Sequence, residues 1–281
     1  NTILGVDMDK TKLKNFAIEA RENLIKSVVV ELETMGINEE GISGPSSDST
    51  RDMYIFDLDK SYSKKLEKEN IQKYESLIRA LKKREEETTY KSAYNNLVEE
   101  VAYTWFNRLI AIRFMEVNNY IPNKLRVLSS TKEGVREPEL VEFFHDSGLD
   151  LKEADLEDLR RLRSDGSASS MDKIFKKLFI EECNYLNQYL PELFEKTDSY
   201  MDLLFNLSYN DPNSVVSKLV DLEEEIFNIE ETGQIEIIGW MYQYYNSDLK
   251  AAVDKANKKV DKNTLPAKTQ LFTPEWIVEY M

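Results

Sequence analysis

The run from Tyr90 to Asn118 constrains the fold of this chain more than any other stretch. Val98, Val101, Ala102, Trp105, Phe106, Leu109, Ile110, Ile112, Phe114 and Met115 recur at helical spacing, yet they cover more than one face of the helix they define. A helix apolar on several faces has to be surrounded by protein. It is therefore expected to run through the centre of the domain, ending at Asn118-Asn119 and Pro122.

The flanking sequence predicts a mainly α fold to surround it. From Lys10 to Met35, Leu13, Phe16, Ala17, Ala20, Leu24, Ile25 and Val28 form one apolar stripe, with Gly36 as the stop. A charged helix is predicted over Lys64 to Arg84, and short helices over Glu139 to His145 and Leu151 to Arg163. A long helix follows over Met171 to Tyr189, then Asp198 to Leu207, Ser214 to Phe227, Glu236 to Tyr245 and a lysine-rich Ser247 to Val260. Only Asp52 to Asp59 alternates enough to read as extended chain. Nine glycines and seven prolines in 281 residues are too few for a turn-rich all-β fold. No apolar run approaches the roughly 18 residues that span a bilayer, and the amino end lacks a basic-then-apolar leader pattern, so a cytoplasmic protein is expected. A single cysteine, Cys183, rules out an intrachain disulfide and fits a reducing compartment.

Charge is segregated along the chain. The net of −15 argues against nucleic acid at first, because phosphates attract Lys and Arg. Yet Glu181 to Glu236 holds fourteen acidic and two basic residues, net −12. Ala102 to Arg136 and Lys250 to Lys268 each hold six basic and two acidic residues, net +4. Such segregation permits a basic nucleic-acid face beside an acidic outer one.

The carboxyl-terminal sequence reads as the opening of an element. Thr273 suits an N-cap and Pro274 the first helical position, and Trp276, Ile277, Tyr280 and Met281 then fall on one helical face. About two turns of helix need a surface to dock on. That surface is expected to lie outside the sequence, which stops inside the helix.

Gln270-Leu-Phe-Thr-Pro-Glu-Trp-Ile-Val-Glu-Tyr-Met281 resembles motif X of N6-adenine DNA methyltransferases that place this motif before the catalytic core. Three further stretches are similar to the methyltransferases of BREX phage-defence systems: Met8 to Arg21, Glu99 to Asn119 and Gln234 to Asn246. The resemblance implies a multi-helix amino-terminal domain ending at the first helix of a missing Rossmann-like core, with Asn1 to Asp7 upstream of the native start. It divides the chain into 8–164, 165–262 and 263–281, the last being motif X and the start of the catalytic domain. It also implies S-adenosylmethionine as cofactor in the complete enzyme, with Phe272, Thr273 and Pro274 lining one wall of its pocket. Double-stranded DNA would be the substrate, and other phage-defence proteins would be partners.

Each candidate residue also has a plainer reading. Phe272-Thr273-Pro274 alone would be an ordinary capped helix start. Lys124, Arg126, Lys132 and Arg136 are candidate phosphate contacts, and surface lysines and arginines serve equally well in local ion pairs. Arg108 and Arg113 rise from the apolar helix and are expected to pair with carboxylates such as Glu100 or Glu116. Trp240, Tyr242, Tyr244 and Tyr245 invite base stacking, but core packing is the commoner use. Asp57 and Asp59 lack a third ligand for a metal. His145 is the only histidine, so zinc and Ser-His or Cys-His chemistry have too few parts. Asn210-Asp-Pro-Asn213 lacks the second proline and the aromatic of a target-base loop, and reads as a turn. No two glycines stand as Gly-x-Gly, so the sequence should not methylate by itself. The competing reading is a free-standing acidic helical module that binds a protein partner or imitates DNA with Glu181 to Glu236.

Overall fold

The computed structural model describes residues 10–58, 62–191, 193–194, 199–232 and 236–247. Helix α1 (Lys10–Glu33) buries Leu13, Phe16, Ala17, Ala20, Leu24, Val28 and Leu32. Gly36 ends the turn after it at φ +69°, where a Cβ would stand 2.6 Å from Ser43 Oγ. Only glycine fits there without displacing Ser43, whose N–H and hydroxyl donate to the Gly36 carbonyl at 2.8 and 3.0 Å. Strands β1 (Ile37–Asn38) and β2 (Gly41–Ile42) close a small antiparallel hairpin, with Asn38 Oδ1 accepting from the N–H groups of Glu40 and Gly41.

A second hairpin pairs β3 (Met53–Asp57) with β4 (Ser63–Glu67), in the register Ile55 opposite Lys65. Here the structure corrects a sequence expectation. Lys64 begins no helix, and α2 starts at Glu69 and runs to Glu87. The reason is tertiary: from β4, Lys64 Nζ reaches the Glu31 carboxylate and donates to Thr34 Oγ1 at 3.0 Å. Helix α2 buries Ile71, Tyr74, Leu77 and Leu81, the 3.6-residue stripe read from the sequence.

Helix α3 (Tyr90–Val117) is buried around most of its circumference. Leu97, Val101, Ala102, Phe106, Leu109, Ile110 and Ile112 are fully buried. Each large side chain of this kind removed from water contributes roughly 1.5–3 kcal/mol. Beyond it lie α4 (Glu139–Glu142), a 3-10 turn at Phe144–Asp146, α5 (Glu153–Asp165) and α6 (Ala168–Leu186). Gly166 at φ +64° caps α5, donating its N–H to the Leu162 carbonyl. Ser167 then opens α6 by accepting from the Ser170 N–H. Asp198 to Leu207 contains a 3-10 segment, Ser199–Leu204, in place of the expected α-helix. Likewise Ser214 to Phe227 divides into α7 (Val215–Val220) and a 3-10 turn at Glu224–Phe227, followed by α8 (Ile229–Thr232) and α9 (Ile237–Tyr245).

The chain forms two compact units, each built from separated segments. One gathers 23–105 with 195–206, and the other gathers 1–22, 106–194 and 207–281. In the first, Trp105 packs on Phe205 with ring centroids 4.5 Å apart, and Arg84 donates to both oxygens of Glu100 at 2.8 and 3.1 Å. In the second, Phe106 packs on Tyr245 at 4.5 Å, and Lys177 of α6 donates to Asp155 of α5 at 2.5 Å. Among the described residues, no helix is long and apolar enough to cross a membrane.

Candidate nucleic-acid interface

The basic loop after α3 is braced from within by two buried carboxylates. Glu116 Oε2 accepts from the N–H groups of Val127 and Leu128, both at 2.8 Å. Its Oε1 accepts from Arg113 Nη1 at 2.8 Å and from the Ser129 hydroxyl at 2.9 Å. Arg113 also donates to Ser129 Oγ and to the Val220 carbonyl, and its guanidinium lies 5.8 Å from the Phe227 ring. Both side chains of the pair are essentially inaccessible. Such a pair holds only when its remaining donors and acceptors are matched, as nearly all are here. The pairing of Arg113 with Glu116 is one of those the sequence left open, whereas Glu100 is taken by Arg84 and Arg108 is buried.

Glu139, at the start of α4, is the second brace. Its Oε2 accepts from the Arg126 N–H, and its Oε1 accepts from the N–H and hydroxyl of Thr131. Burial alone would raise the pKa of this carboxyl, but these hydrogen bonds outweigh it and hold it below its ordinary value. In return, Glu139 and Leu140 donate their N–H groups to Ser129 and Arg126, so loop and helix start form one unit.

The four candidate phosphate contacts sit on this frame. Lys124 is exposed, holds the left-handed φ of +63° and donates Nζ to the Asn119 carbonyl at 2.8 Å. Arg126 is half-buried and paired with Glu224, whose carboxyl this bond holds below its ordinary value. Lys132 donates to both oxygens of Glu142 and stands over the Phe143 ring at 4.9 Å. Arg136 meets Asp221 at 3.3 Å, beside a shallow cavity of about 260 Å³ lined by Ser129, Tyr209 and Ser217. Three of the four cations therefore already face carboxylates of their own chain.

The same contacts bear on the acidic-module reading. Asp221, Glu223 and Glu224, from the densest part of the acidic stretch, meet Arg136, Lys12 and Arg126. Glu182, from the same stretch, is fully buried. Of these four, Glu182 cannot join a phosphate-like array, and Asp221, Glu223 and Glu224 can do so only by giving up these pairs.

Glu182 escaped sequence reasoning. Its Oε2 accepts from Asn123 Nδ2 at 3.0 Å, while Oε1 meets no donor among the described residues. Burial, opposed only by that bond, pushes its pKa up from 4.5 to about 7. The signal was present, since position 182 continues the buried face of Phe175, Phe179 and Leu186 on α6.

The remaining candidates have structural surroundings. Tyr245 is buried against Phe106, and half-buried Trp240 receives Lys10 Nζ 4.4 Å from its ring, so these aromatics are used in packing. Asn210 to Asn213 is a turn, with Ser208 Oγ accepting from two N–H groups and Asp211 Oδ1 from the Asn213 N–H. His145 is exposed beside Phe144, and Cys183 is buried. Asp57 ends β3 in an exposed position. Among the described residues, no three His, Cys, Asp or Glu side chains gather to hold a metal. Phe272, Thr273 and Pro274, with Asp59 and the Ser247 to Val260 helix beyond its first residue, lie outside the described residues.

Fold and site together define a helical scaffold carrying a braced basic loop. No protein-family model matches the chain. Over 278 residues it is 42% identical to the adenine-specific methyltransferase PglX of Lacticaseibacillus casei, covering 98% of this chain and 22% of that protein. It is 30% identical to the adenine-specific methyltransferase BrxX of Escherichia coli, covering 98% of this chain and 21% of that protein. The chain is thus PglX-like along nearly its whole length, and it spans about a fifth of the length of the curated relatives it matches.

Proposed function

We propose that the chain is the amino-terminal helical part of a cytoplasmic, S-adenosylmethionine-dependent N6-adenine DNA methyltransferase of a BREX-type phage-defence system. The observation that carries this reading is the end-to-end similarity to two adenine-specific methyltransferases, at 42% and 30% identity. The parent enzyme would move a methyl group to the N6 of an adenine flipped into a catalytic domain that begins near residue 263. This part supplies the scaffold for that domain and for DNA. Phe272, Thr273 and Pro274 form one wall of the cofactor pocket.

Lys124, Arg126, Lys132 and Arg136 contact DNA phosphates in this reading. Exposed ion pairs are worth only about 0–1 kcal/mol, so a phosphate can exchange with Glu142 at Lys132 and with Asp221 at Arg136 at little cost. Lys124 faces only a carbonyl among the bonds described and needs no exchange. The braces at Glu116 and Glu139 hold the loop in shape while partners exchange.

The test uses the full-length protein. Phe272→Ala and Thr273→Ala should each weaken S-adenosylmethionine binding by tenfold or more in calorimetry, with thermal stability unchanged. Unaltered affinity in both variants would exclude the pocket role.

A further inference from the structure

The first turn of the basic loop is held differently from the rest. From Arg126 to Thr131, Glu116 and Glu139 brace the backbone with both oxygens of each carboxylate matched. The turn before it depends on Asn123. Lys124 donates its N–H to the Ile121 carbonyl at 3.1 Å and holds φ at +63°, a conformation that lysine rarely adopts. The Asn123 amide ties this turn on two sides: Oδ1 accepts from the Leu125 N–H at 3.1 Å, and Nδ2 donates to Glu182 Oε2 at 3.0 Å. Asn123 is half-buried, whereas Glu182 behind it on α6 is fully buried, and the second Glu182 oxygen meets no donor among the described residues. A strained turn is thus anchored to a carboxyl that is itself only half matched.

Among the described residues, no cation pairs with Glu182. Helices α4 and α5 pack on α6, but there Glu139 accepts from Arg126 and Thr131, Glu142 takes Lys132, Asp155 takes Lys177 and Arg163 meets Glu137. On α3, Arg113 and Glu116 bond to each other. In the loop, Lys124 donates to the Asn119 carbonyl and Arg126 faces Glu224. On α6 itself the titratable neighbour is Tyr185, whose pKa is raised first by its hydrogen bond to Tyr189 and last by the charge of Glu182. Burial, opposed by the Asn123 bond, puts the pKa of Glu182 at about 7. We propose that Glu182 is a positioning residue for the basic loop: its neutral carboxyl, bonded to Asn123, keeps the turn at Lys124 closed, and its ionisation opens that turn. A carboxylate buried with one donor and no cation draws in water. Half-exposed Asn123 stands between it and solvent, so the turn is what yields. Lys124 then leaves its left-handed conformation, while Val127 to Thr131 stays fixed by Glu116 and Glu139. The consequence for DNA rests on the reading of Lys124 as a phosphate contact: that contact is preset below pH 7 and loosened above it.

Hydrogen exchange of the full-length protein at pH 6 and pH 8 tests this, with each amide rate taken relative to an unstructured peptide at the same pH. The Lys124 and Leu125 amides should lose about tenfold in protection at pH 8 in the unaltered protein. They should lose none in Glu182→Gln, which stays neutral, and the Val127 and Leu128 amides should not change in either protein. The same loss in Glu182→Gln, or no loss in the unaltered protein, would overturn the proposal. Asn123→Ala removes the link, so both amides should be weakly protected at both pH values; full protection there would overturn it too. Binding to double-stranded DNA at fixed salt is read separately. Glu182→Gln should match the unaltered protein at pH 6 and bind about threefold more tightly at pH 8. Amide rates that follow Glu182 beside equal DNA affinities would fail the phosphate reading of Lys124 and leave the loop assignment standing.

Discussion

Glu182 shows how one side chain ties this fold to pH. Its folded pKa of about 7 lies above the ordinary 4.5, so the folded state holds the proton more tightly than the unfolded chain. The stability it permits is complete below about 4.5 and is lost as pH rises through 7. The gap corresponds to about 3 kcal/mol. Glu182→Gln should therefore leave stability nearly unchanged at pH 5 and raise it by up to that amount at pH 8, as read by thermal unfolding at both values. Equal shifts at the two pH values would contradict this. The Arg113–Glu116 pair makes the opposite case, since every oxygen of Glu116 is matched and Arg113 leaves only Nε without a partner among the described residues. Glu116→Ala leaves Arg113, the Ser129 hydroxyl and two backbone N–H groups without their acceptor, and should cost about 3–5 kcal/mol in denaturant unfolding. A loss below about 1 kcal/mol would mean that water reaches the site. The sequence offered Glu116 as one of two carboxylates for Arg108 and Arg113, and the structure settles on the i,i+3 pair. The sequence could not show that Glu116 also holds Val127 and Leu128, eleven and twelve residues away.

At the scale of elements, local signals were read well and distant ones were missed. Helices α1, α3 and α9 lie within a few residues of their expected limits, because their apolar spacing and terminal glycine or asparagine signals are local. Strand β4 was not legible. Lys64 and Leu66 suit a charged helix by spacing, and the choice is made by Glu31, 33 residues earlier. The 3-10 segment at Ser199–Leu204 is similar, since Tyr200 is fixed beside Arg84, 116 residues away. Caps are local enough to test singly. Ser167 accepts the Ser170 N–H and donates to Asp165 at 2.6 Å, so Ser167→Ala should cost about 1 kcal/mol of stability by denaturant titration. No loss would mean that Asp165 alone satisfies the start of α6.

For the whole molecule, composition alone misleads. A net charge of −15 reads as hostile to DNA, yet several of its carboxylates are committed to ion pairs within the chain. The division into 8–164, 165–262 and 263–281 is an expectation from the resemblance. The compact units are a different kind of grouping, made of interleaved segments, and α1 and α3 each give residues to both. Interleaving is invisible to a linear reading, because it depends on which apolar faces meet. The basic loop was legible as charge, but its partners were not. What this chain belongs to was legible mainly in four short stretches, and the alignment over 98% of its length supports that reading.

If this scaffold serves adenine methylation, as proposed, the product made by the full-length protein shows it. The full-length protein, with its accompanying defence-system proteins, is incubated with double-stranded DNA and isotope-labelled S-adenosylmethionine. The DNA is then digested and its nucleosides are resolved by mass spectrometry. Label is expected in N6-methyldeoxyadenosine and in no other nucleoside. Label in a methylated cytosine, or none in the DNA at all, would contradict it.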